Sequence, residues 1–372
     1  MCPLNSMHPD LRNVGHAGRL TAEASPSVTG CPEHEEPIKE HTMTDVRWGV
    51  LSTAGIGMEH VTLAIQRAEN CDVVAIASRD IDRATAAAAQ LGIPKAYGSY
   101  EELLAADDID VVYIPLPNDL HAEWVMKAAT AGKHVLCEKP LAMNAAQAEE
   151  MAAFCESAGV KLAEAFMYRH HPTWVEAVRL VRSGMIGDLQ GVQSWFSYYN
   201  DDPSNIRNKV SNGGGALMDI GCYNINMSRM LFDAEPERVE ASVRRDPVMG
   251  IDIVTSAILE FPGGGQSTFT CSTRAEDYQR VHIVGTTGRI DIEIPFNIPP
   301  DRETTIFVVS GGEPPVAPAT EALVFPPENQ YTIQARLFAQ AVLDDTPVAV
   351  PISDAINNMK VIDEILATPS QT

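Results

Sequence analysis

A carboxylic acid and a phenol stand four residues apart at Asp219 and Tyr223, in the run Gly213-Gly214-Gly215-Ala216-Leu217-Met218-Asp219-Ile220-Gly221-Cys222-Tyr223. Three glycines lead into an apolar stretch of helical character. At 3.6 residues per turn the two side chains share one face of that helix. Pointed into a cleft, such a pair can bind and deprotonate a sugar hydroxyl. An acid and a tyrosine at this spacing also occur on ordinary helix surfaces, so the weight of the pair depends on what the chain places around it.

The elements that must position it begin at Val46. Arg47 to Ser52 reads as a short apolar strand, Thr53 to Gly57 as a small-residue turn, and a helix follows through about Ala68. Asp72 to Ser78 and Asp110 to Pro115 are apolar runs without alternation, as expected for strands buried on both faces. Between them lie an Ala-rich helix from Asp82 to Leu91 stopped by Gly92, a short strand at Lys95 to Tyr97, and a capping box at Ser99 and Glu102. A helix from Asn118 to Ala131, a strand from His134 to Glu138, a helix from Asn144 to Ala158 and a strand from Val160 to Ala165 complete the series. This alternation predicts an α/β fold with a doubly wound parallel sheet. Its ligand crevice lies at the carboxyl ends of the strands.

A dinucleotide would set its pyrophosphate on the first strand–turn–helix, where backbone N–H groups suit an anion. The G-x-G-x-x-G fingerprint is degraded here: its positions hold Ser52, Ala54 and Gly57, with Thr53, Gly55 and Ile56 alongside. Ser and Ala are small enough to permit close approach. An acid at the end of the second strand would favour NAD. This chain has Ser78-Arg79-Asp80 and then Arg83. A hydroxyl and two guanidiniums suit a 2′-phosphate, so NADP is expected rather than NAD, although Asp80 is within reach of a ribose.

The chain has 372 residues, 45% of them hydrophobic, and a net charge of −23. That length gives room for two domains. The acidity opposes a nucleic-acid partner, and no apolar run reaches the ~18 residues that span a bilayer. The seven cysteines show neither CxxC pairs nor metal spacing, which fits reduced thiols in a cytoplasm. Adjacent His170 and His171 have no matching acid cluster, so no metal is expected. Residues 1–44 mix Pro, His, Glu, Ser and Thr without period and are expected to be a disordered extension without a secretory signal. Met43 reads as an alternative start, and an arm wrapping a neighbouring subunit as an alternative role.

Glu138-Lys139-Pro140 after the fifth strand, Pro115-Leu116-Pro117-Asn118 after the fourth, His121 on the next helix, and the Gly213–Tyr223 segment together resemble the Gfo/Idh/MocA oxidoreductase family. Ala163-Glu164-Ala165-Phe166-Met167-Tyr168-Arg169-His170-His171-Pro172 looks like its domain junction in the aldose and dihydrodiol dehydrogenase and glucose–fructose oxidoreductase subgroup. Gly285-Thr286-Thr287-Gly288-Arg289-Ile290 looks like a family turn in the second domain. The resemblance covers about residue 46 to the C-terminus. It implies a Rossmann domain over 45–166 and a substrate-binding and oligomerisation α+β domain over 167–372. It also implies that Lys139 orients the substrate hydroxyl and helps depress the proton acceptor's pKa. Many members carry D-x-x-x-H; here Asp219 and Tyr223 make Tyr the general base or acid and Asp219 a substrate clamp, as in the aldose and glucose–fructose branch. Tyr168 and Arg169 would line the nicotinamide side, and Pro115, Leu116, Asn118, His121 and Glu138 would contact the cofactor.

Past Pro172 a helix stops near Gly184, and period-two segments follow at 190–199, 254–261, 266–273, 280–284, 289–294 and 305–310. They predict a large open, mostly antiparallel sheet, with helices at 331–343 and 354–367 closing the chain, the last of which is expected to pack back on the first domain. Trp195, Phe196, Tyr198 and Tyr199 are expected on the outer sheet face, and in the resembled family that face packs on another subunit; a homodimer or higher oligomer is expected. Asp201 to Asn212 reads as a loop over the cleft. The functional expectation is a cytoplasmic, NADP-dependent aldose oxidoreductase acting at C1 to give a lactone. One variant releases NADPH at each turnover, and another retains the cofactor and passes the hydride to a second sugar. A trans-dihydrodiol or other alcohol dehydrogenase, and a non-catalytic NADP-binding regulator, are the alternatives.

Overall fold

The structure of the protein, a computed structural model, describes residues 45–311 and 319–369. The expected N-terminal extension lies outside the described residues. Six strands, β1 (Val46–Leu51), β2 (Cys71–Ala77), β3 (Lys95–Tyr97), β4 (Val111–Ile114), β5 (His134–Cys137) and β6 (Leu162–Glu164), form a parallel sheet in the order β3-β2-β1-β4-β5-β6. This is the doubly wound order, with its switch point between β1 and β4, where the ligand crevice opens. β4 is buried at every position and β1 at all but one, which explains their unbroken apolar runs.

Five helices cover this sheet: α1 (Thr62–Arg67), entered through a π-helical turn at Gly57–Val61, then α2 (Ile81–Leu91), α3 (Tyr100–Leu104), α4 (Asn118–Thr130) and α5 (Ala145–Ser157). Their ends obey the sequence signals. Asp80 caps α2 by accepting from the Asp82 and Arg83 N–H groups, and Gly92 ends it at φ +67°. Ser99 Oγ accepts from Glu102 N while Glu102 Oε2 accepts from Gly98 N, close to the reciprocal geometry of a capping box.

After α6 (Pro172–Arg182) the chain builds β7 (Leu189–Tyr199), α7 (Cys222–Phe232), β8 (Arg238–Arg245), β9 (Asp252–Glu260), β10 (Gln266–Ser272), β11 (Arg274–Gly285), β12 (Gly288–Ile292), β13 (Thr304–Ser310) and β14 (Ala319–Phe325). Among the described residues these eight strands form one sheet, ordered β14-β13-β12-β11-β7-β10-β9-β8. Every pairing is antiparallel except β7 with β10. β8 and β14 are additional to the strands expected from the sequence: the alternating Val239, Ala241 and Val243 of β8 stand between charged or polar residues, β14 is mostly exposed, and both are edge strands.

The last helices, α8 (Gln330–Leu343) and α9 (Ile352–Leu366), return to the first sheet. α8 packs on α1, β1 and β2, with Phe338 against fully buried Trp48 at 5.8 Å between ring centroids; α9 packs on α5 and α7. The two sheets are thus bracketed by one pair of C-terminal helices. No helix among the described residues is long and apolar enough to cross a membrane. Cys71, Cys137, Cys155, Cys222 and Cys271 are buried.

Candidate active site

A cleft of about 730 Å³ opens at the carboxyl ends of β1, β4 and β5 and is closed on its far side by β7, β11 and the glycine segment. On the parallel-sheet side it is lined by Ala54, Gly55 and Ile56, then Pro115, Leu116 and Asn118, then Glu138 and Lys139. Ser52 lies buried beneath the turn and Thr53 is half-buried beside it. Ser52 takes φ +141°, a conformation that a residue with a Cβ rarely adopts and that the fingerprint normally gives to glycine. Its hydroxyl offsets part of that strain by donating to Pro115 O at 3.3 Å and accepting from Ala54 N at 3.2 Å. The serine therefore ties the dinucleotide turn to the loop after β4.

Three loops are locked together around Lys139. Fully buried His121 places Nε2 2.8 Å from Leu116 O and Nδ1 3.1 Å from Pro140 O. It does not line the cleft, so its expected contact with cofactor gives way to bracing two loops that do. Glu138 accepts from Tyr113 OH at 2.6 Å, and burial raises its pKa. Glu164 accepts from Leu141 N at 2.8 Å, and burial pushes its pKa up to about 8. Asn118 Nδ2 donates to Gly213 O at 3.0 Å, and Asn212 Nδ2 to Asp119 Oδ1 at 2.9 Å. The start of α4 is thereby clamped to the glycine segment that carries the acid and phenol.

That segment needs its glycines. A Cβ on Gly214 would stand 2.5 Å from Arg207 O. One on Gly215, at φ +126°, would stand 2.0 Å from Asp252 Oδ1. Asp252 in turn accepts from Leu217 N at 2.8 Å, fixing the first turn of the helix. Leu217–Gly221 is a π-helical turn leading into α7, a local widening common at functional sites. Asp219 and Tyr223 both face the cleft, as their spacing requires.

Asp219 is the hub. Lys139 Nζ donates to its main-chain oxygen at 2.7 Å and approaches Oδ1 at 3.3 Å; Arg207 Nε lies 3.2 Å away; Tyr198 OH donates to Oδ2. Burial opposes the charge of Asp219, but Lys139, Arg207 and the Tyr198 hydroxyl together outweigh it and bring the pKa down to about 2. Burial likewise works against the Lys139 ammonium, and Asp219 more than restores it.

Tyr223 is only 5% exposed. Phe166, Phe196 and Phe296 hold its ring at centroid distances of 5.1, 5.7 and 5.3 Å. Its hydroxyl reaches Met167 Sδ at 3.7 Å, and Lys139 Nζ sits 5.0 Å from the ring centre. The expectation that Lys139 lowers the phenol's pKa is corrected here. The ammonium is engaged by Asp219, and burial raises Tyr223 well above 10. The free protein presents a protonated phenol.

Tyr168 and Arg169 do not line the cleft. Tyr168 is fully buried behind Tyr223, its OH donating to Asn226 Oδ1 at 2.6 Å. Arg169 turns the other way because Asp354 of α9 captures it at 2.7 Å. Arg79 lines a separate hollow with Asp80, Ile81, Gly98 and Glu102, beside the end of β2. The side chains of Arg79 and Arg83 have no ion-pair partner among the described residues. The side chain of Asp80 is engaged as the α2 cap, and Ser78 Oγ accepts from Asp80 N at 3.4 Å. One carboxylate oxygen of Asp80, Oδ1, is taken by the cap. No three His, Cys, Asp or Glu side chains among the described residues are grouped to hold a metal.

Sequence reasoning placed Tyr198 and Phe196 on the outer sheet face with Trp195 and Tyr199. Alternation divides them: Phe196 and Tyr198 face the cleft, Trp195 and Tyr199 do not. Strict period-two reading from buried Val192 would have found this. Arg207, on the expected loop, and Tyr331, at the start of α8, also line the cleft and carried no spacing signal.

Residues 46–166 match the oxidoreductase family with NAD-binding Rossmann fold, and 174–291 match the GFO/IDH/MocA C-terminal domain. An uncharacterized oxidoreductase of Rhizobium meliloti is 45% identical over 86% of this chain and 96% of its own. A D-xylose 1-dehydrogenase (NADP(+)) of Haloferax volcanii is 40% identical over 86% and 95%. The structure of a 3-ketoreductase from Actinomadura kijaniata with TDP-benzene and NADP superposes with a TM-score of 0.80 at 30% identity, covering 87% of this chain and 97% of the other. The chain belongs to the Gfo/Idh/MocA oxidoreductase family, with an NAD(P)-binding Rossmann fold.

Proposed function

We propose that the protein is an NADP-dependent oxidoreductase that oxidises an aldose, a pentose or hexose, at C1 to the lactone. The observation that carries this reading is the ionised Asp219 held by Lys139 and Tyr198 across from the Tyr223 phenol, in the cleft that also takes in the dinucleotide turn. Asn212, Gln279 and Asn297 add amide groups to its walls, which suits a polyhydroxylated substrate. The relatives span xylose, keto-sugar and diol chemistry, so membership alone does not choose. The similarity to a D-xylose dehydrogenase and to an aldose–aldose oxidoreductase favours the sugar. Solved variants of the ketoreductase replace a lysine and a tyrosine that lie 84 residues apart, the interval from Lys139 to Tyr223.

When bound, the cofactor supplies the hydride acceptor or donor. Ala54, Gly55 and Ile56 would hold the pyrophosphate at a helix N-terminus, and Ser78, Arg79 and Arg83 the 2′-phosphate. Asp219 and Lys139 hold the substrate hydroxyls. Asp219 is too weak a base, at a pKa of about 2, to take a sugar proton at neutral pH. Tyr223 carries the proton: as phenol it donates in reduction, as phenolate it accepts in oxidation. Tyr198 fixes the Asp219 carboxylate. The reading includes a homodimer or higher homo-oligomer formed through the second sheet.

The test is a rate panel with NADP and NAD on D-xylose, D-glucose, L-arabinose and a trans-dihydrodiol. Turnover of an aldose with NADP, and loss of the NADP preference in Arg79→Ala/Arg83→Ala, are the expected results. Turnover of the diol alone, or none with any donor, sinks the aldose assignment. Absorbance of the gel-filtered protein in the reduced-nicotinamide band separates the retained-cofactor variant from the releasing one.

A further inference from the structure

One phenol of the cleft comes from neither the parallel sheet nor the sheet domain proper. Tyr331 stands in the first turn of α8, where its N–H donates to the capping Asn329 Oδ1 at 2.9 Å. Its neighbour Gln330 donates through Nε2 to Phe296 O at 3.0 Å, and Phe296 packs on Tyr223. The start of α8 is thus pinned to the substrate side while its body packs on α1, β1 and β2. The Tyr331 ring packs against both hydrophobic cores of the molecule. It also stacks on His60 in the dinucleotide helix, at 6.2 Å between centroids and 17° between planes.

Tyr331 lines the cleft together with Ala54–Ile56, Glu138 and Lys139. Its hydroxyl has no hydrogen-bond partner among the described residues, although burial and then Glu138 raise its pKa and keep it a donor. The ring is held by packing while the half-buried hydroxyl is bonded to none of the described residues and is free to donate to a ligand in the cleft. Tyr331 contacts His60 of the dinucleotide helix on one side and feels Glu138 on the other, so a dinucleotide running from the turn to Lys139 comes within its reach.

We propose that Tyr331 is a cofactor-binding residue, its hydroxyl donating to a ribose or phosphate oxygen in the stretch of dinucleotide between the phosphate turn and Lys139. The proposal rests on the dinucleotide-binding reading of the cleft and is independent of which alcohol is oxidised. Through it α8, fixed to the substrate side by Gln330, reaches the cofactor.

The experiment titrates NADP and NADPH into the wild-type chain and Tyr331→Phe in the absence of sugar, by calorimetry, with NADH as a parallel probe. Loss of one hydrogen bond predicts a Kd about three- to tenfold weaker in Tyr331→Phe, and Tyr331→Leu, which also removes the ring, weakens it further. Because the hydroxyl bonds nothing in the protein, the thermal midpoint of the apo Phe variant stays at the wild-type value. A Kd within twofold of wild type overturns the proposal, and a raised sugar KM alongside it reassigns the hydroxyl to substrate. A lowered apo midpoint with unchanged Kd assigns it to packing. Absence of dinucleotide binding by the wild type is a separate result, overturning the reading of the cleft and this proposal with it.

Discussion

The proton that this site moves sits on a phenol that burial makes reluctant to give it up. Tyr223 has no charged hydrogen-bond partner, and its pKa lies well above that of free tyrosine. The phenolate needed as a base for oxidation is therefore scarce at neutral pH. Below a phenol's pKa its phenolate fraction grows tenfold per pH unit, so kcat for sugar oxidation should climb roughly tenfold per unit through the neutral and alkaline range. Lactone reduction, which uses the phenol, should stay flat over the same range. Tyr223→Phe should lower kcat by about 10²–10⁴ and erase the slope. Stopped-flow rates from pH 6 to pH 10 check both, and a slope that survives in the Phe variant would move the proton to another group. The acid, phenol and lysine were legible because each stands in a short local pattern. Tyr198, Arg207 and Tyr331 were not, since they meet Asp219 and the dinucleotide turn only after β7, the 200–212 loop and α8 have folded onto the parallel sheet. Arg169 was misplaced for a related reason: its partner Asp354 lies 185 residues away, and nothing local announces it.

At the scale of elements, the glycine segment decides where the acid points. Gly215 holds φ +126° and leaves room for Asp252, whose carboxylate receives the Leu217 N–H. A methyl group there meets both a disfavoured backbone conformation and the Asp252 oxygen. Gly215→Ala should destabilise the protein by about 2–4 kcal/mol, and it should lower kcat/KM by displacing the turn that carries Asp219. Urea unfolding monitored by far-ultraviolet circular dichroism measures the first effect. A cost below about 0.5 kcal/mol would show that the segment adapts and that the close approach is not a constraint. The parallel sheet was legible strand by strand, since runs buried on both faces differ so plainly from their flanking helices. The second sheet was legible only in its middle. Edge strands β8 and β14 carry a weaker signal, since β8 alternates only through Val239, Ala241 and Val243 between charged or polar residues and β14 is mostly exposed, and the parallel pairing of β7 with β10 links strands separated by α7, β8 and β9, a connection that periodicity does not report.

On the scale of the whole molecule, the second sheet has one face packed on α6 and α7 and another that the described residues leave open. The open face presents Trp195, Tyr199, Ile258 and Tyr278, exposed by 39, 62, 38 and 47%, around a shallow groove that includes Arg280 and His282. Large apolar side chains gathered on one flat surface are rare on a monomer. A sheet face can cover itself by two-fold symmetry, because the same patch meets its own copy. The groove mixes Glu240 with Arg280 and His282, so an antiparallel copy can set opposite charges against each other at its rim. The chain carries a net charge of −23, which opposes association by general repulsion, so a contact through this patch has to outweigh it. Native mass spectrometry should report a dimer or a multiple of it. Trp195→Glu with Ile258→Glu, on the exposed side of β7 and β9 and away from the cleft, should shift the mass to the monomer while the circular dichroism spectrum stays unchanged. A wild-type monomer at micromolar concentration, or a double variant that keeps its partner, would remove this face from consideration. Tyr278 lines both the groove and the cleft, so loss of the partner should also raise the sugar KM, linking assembly to the shape of the substrate site.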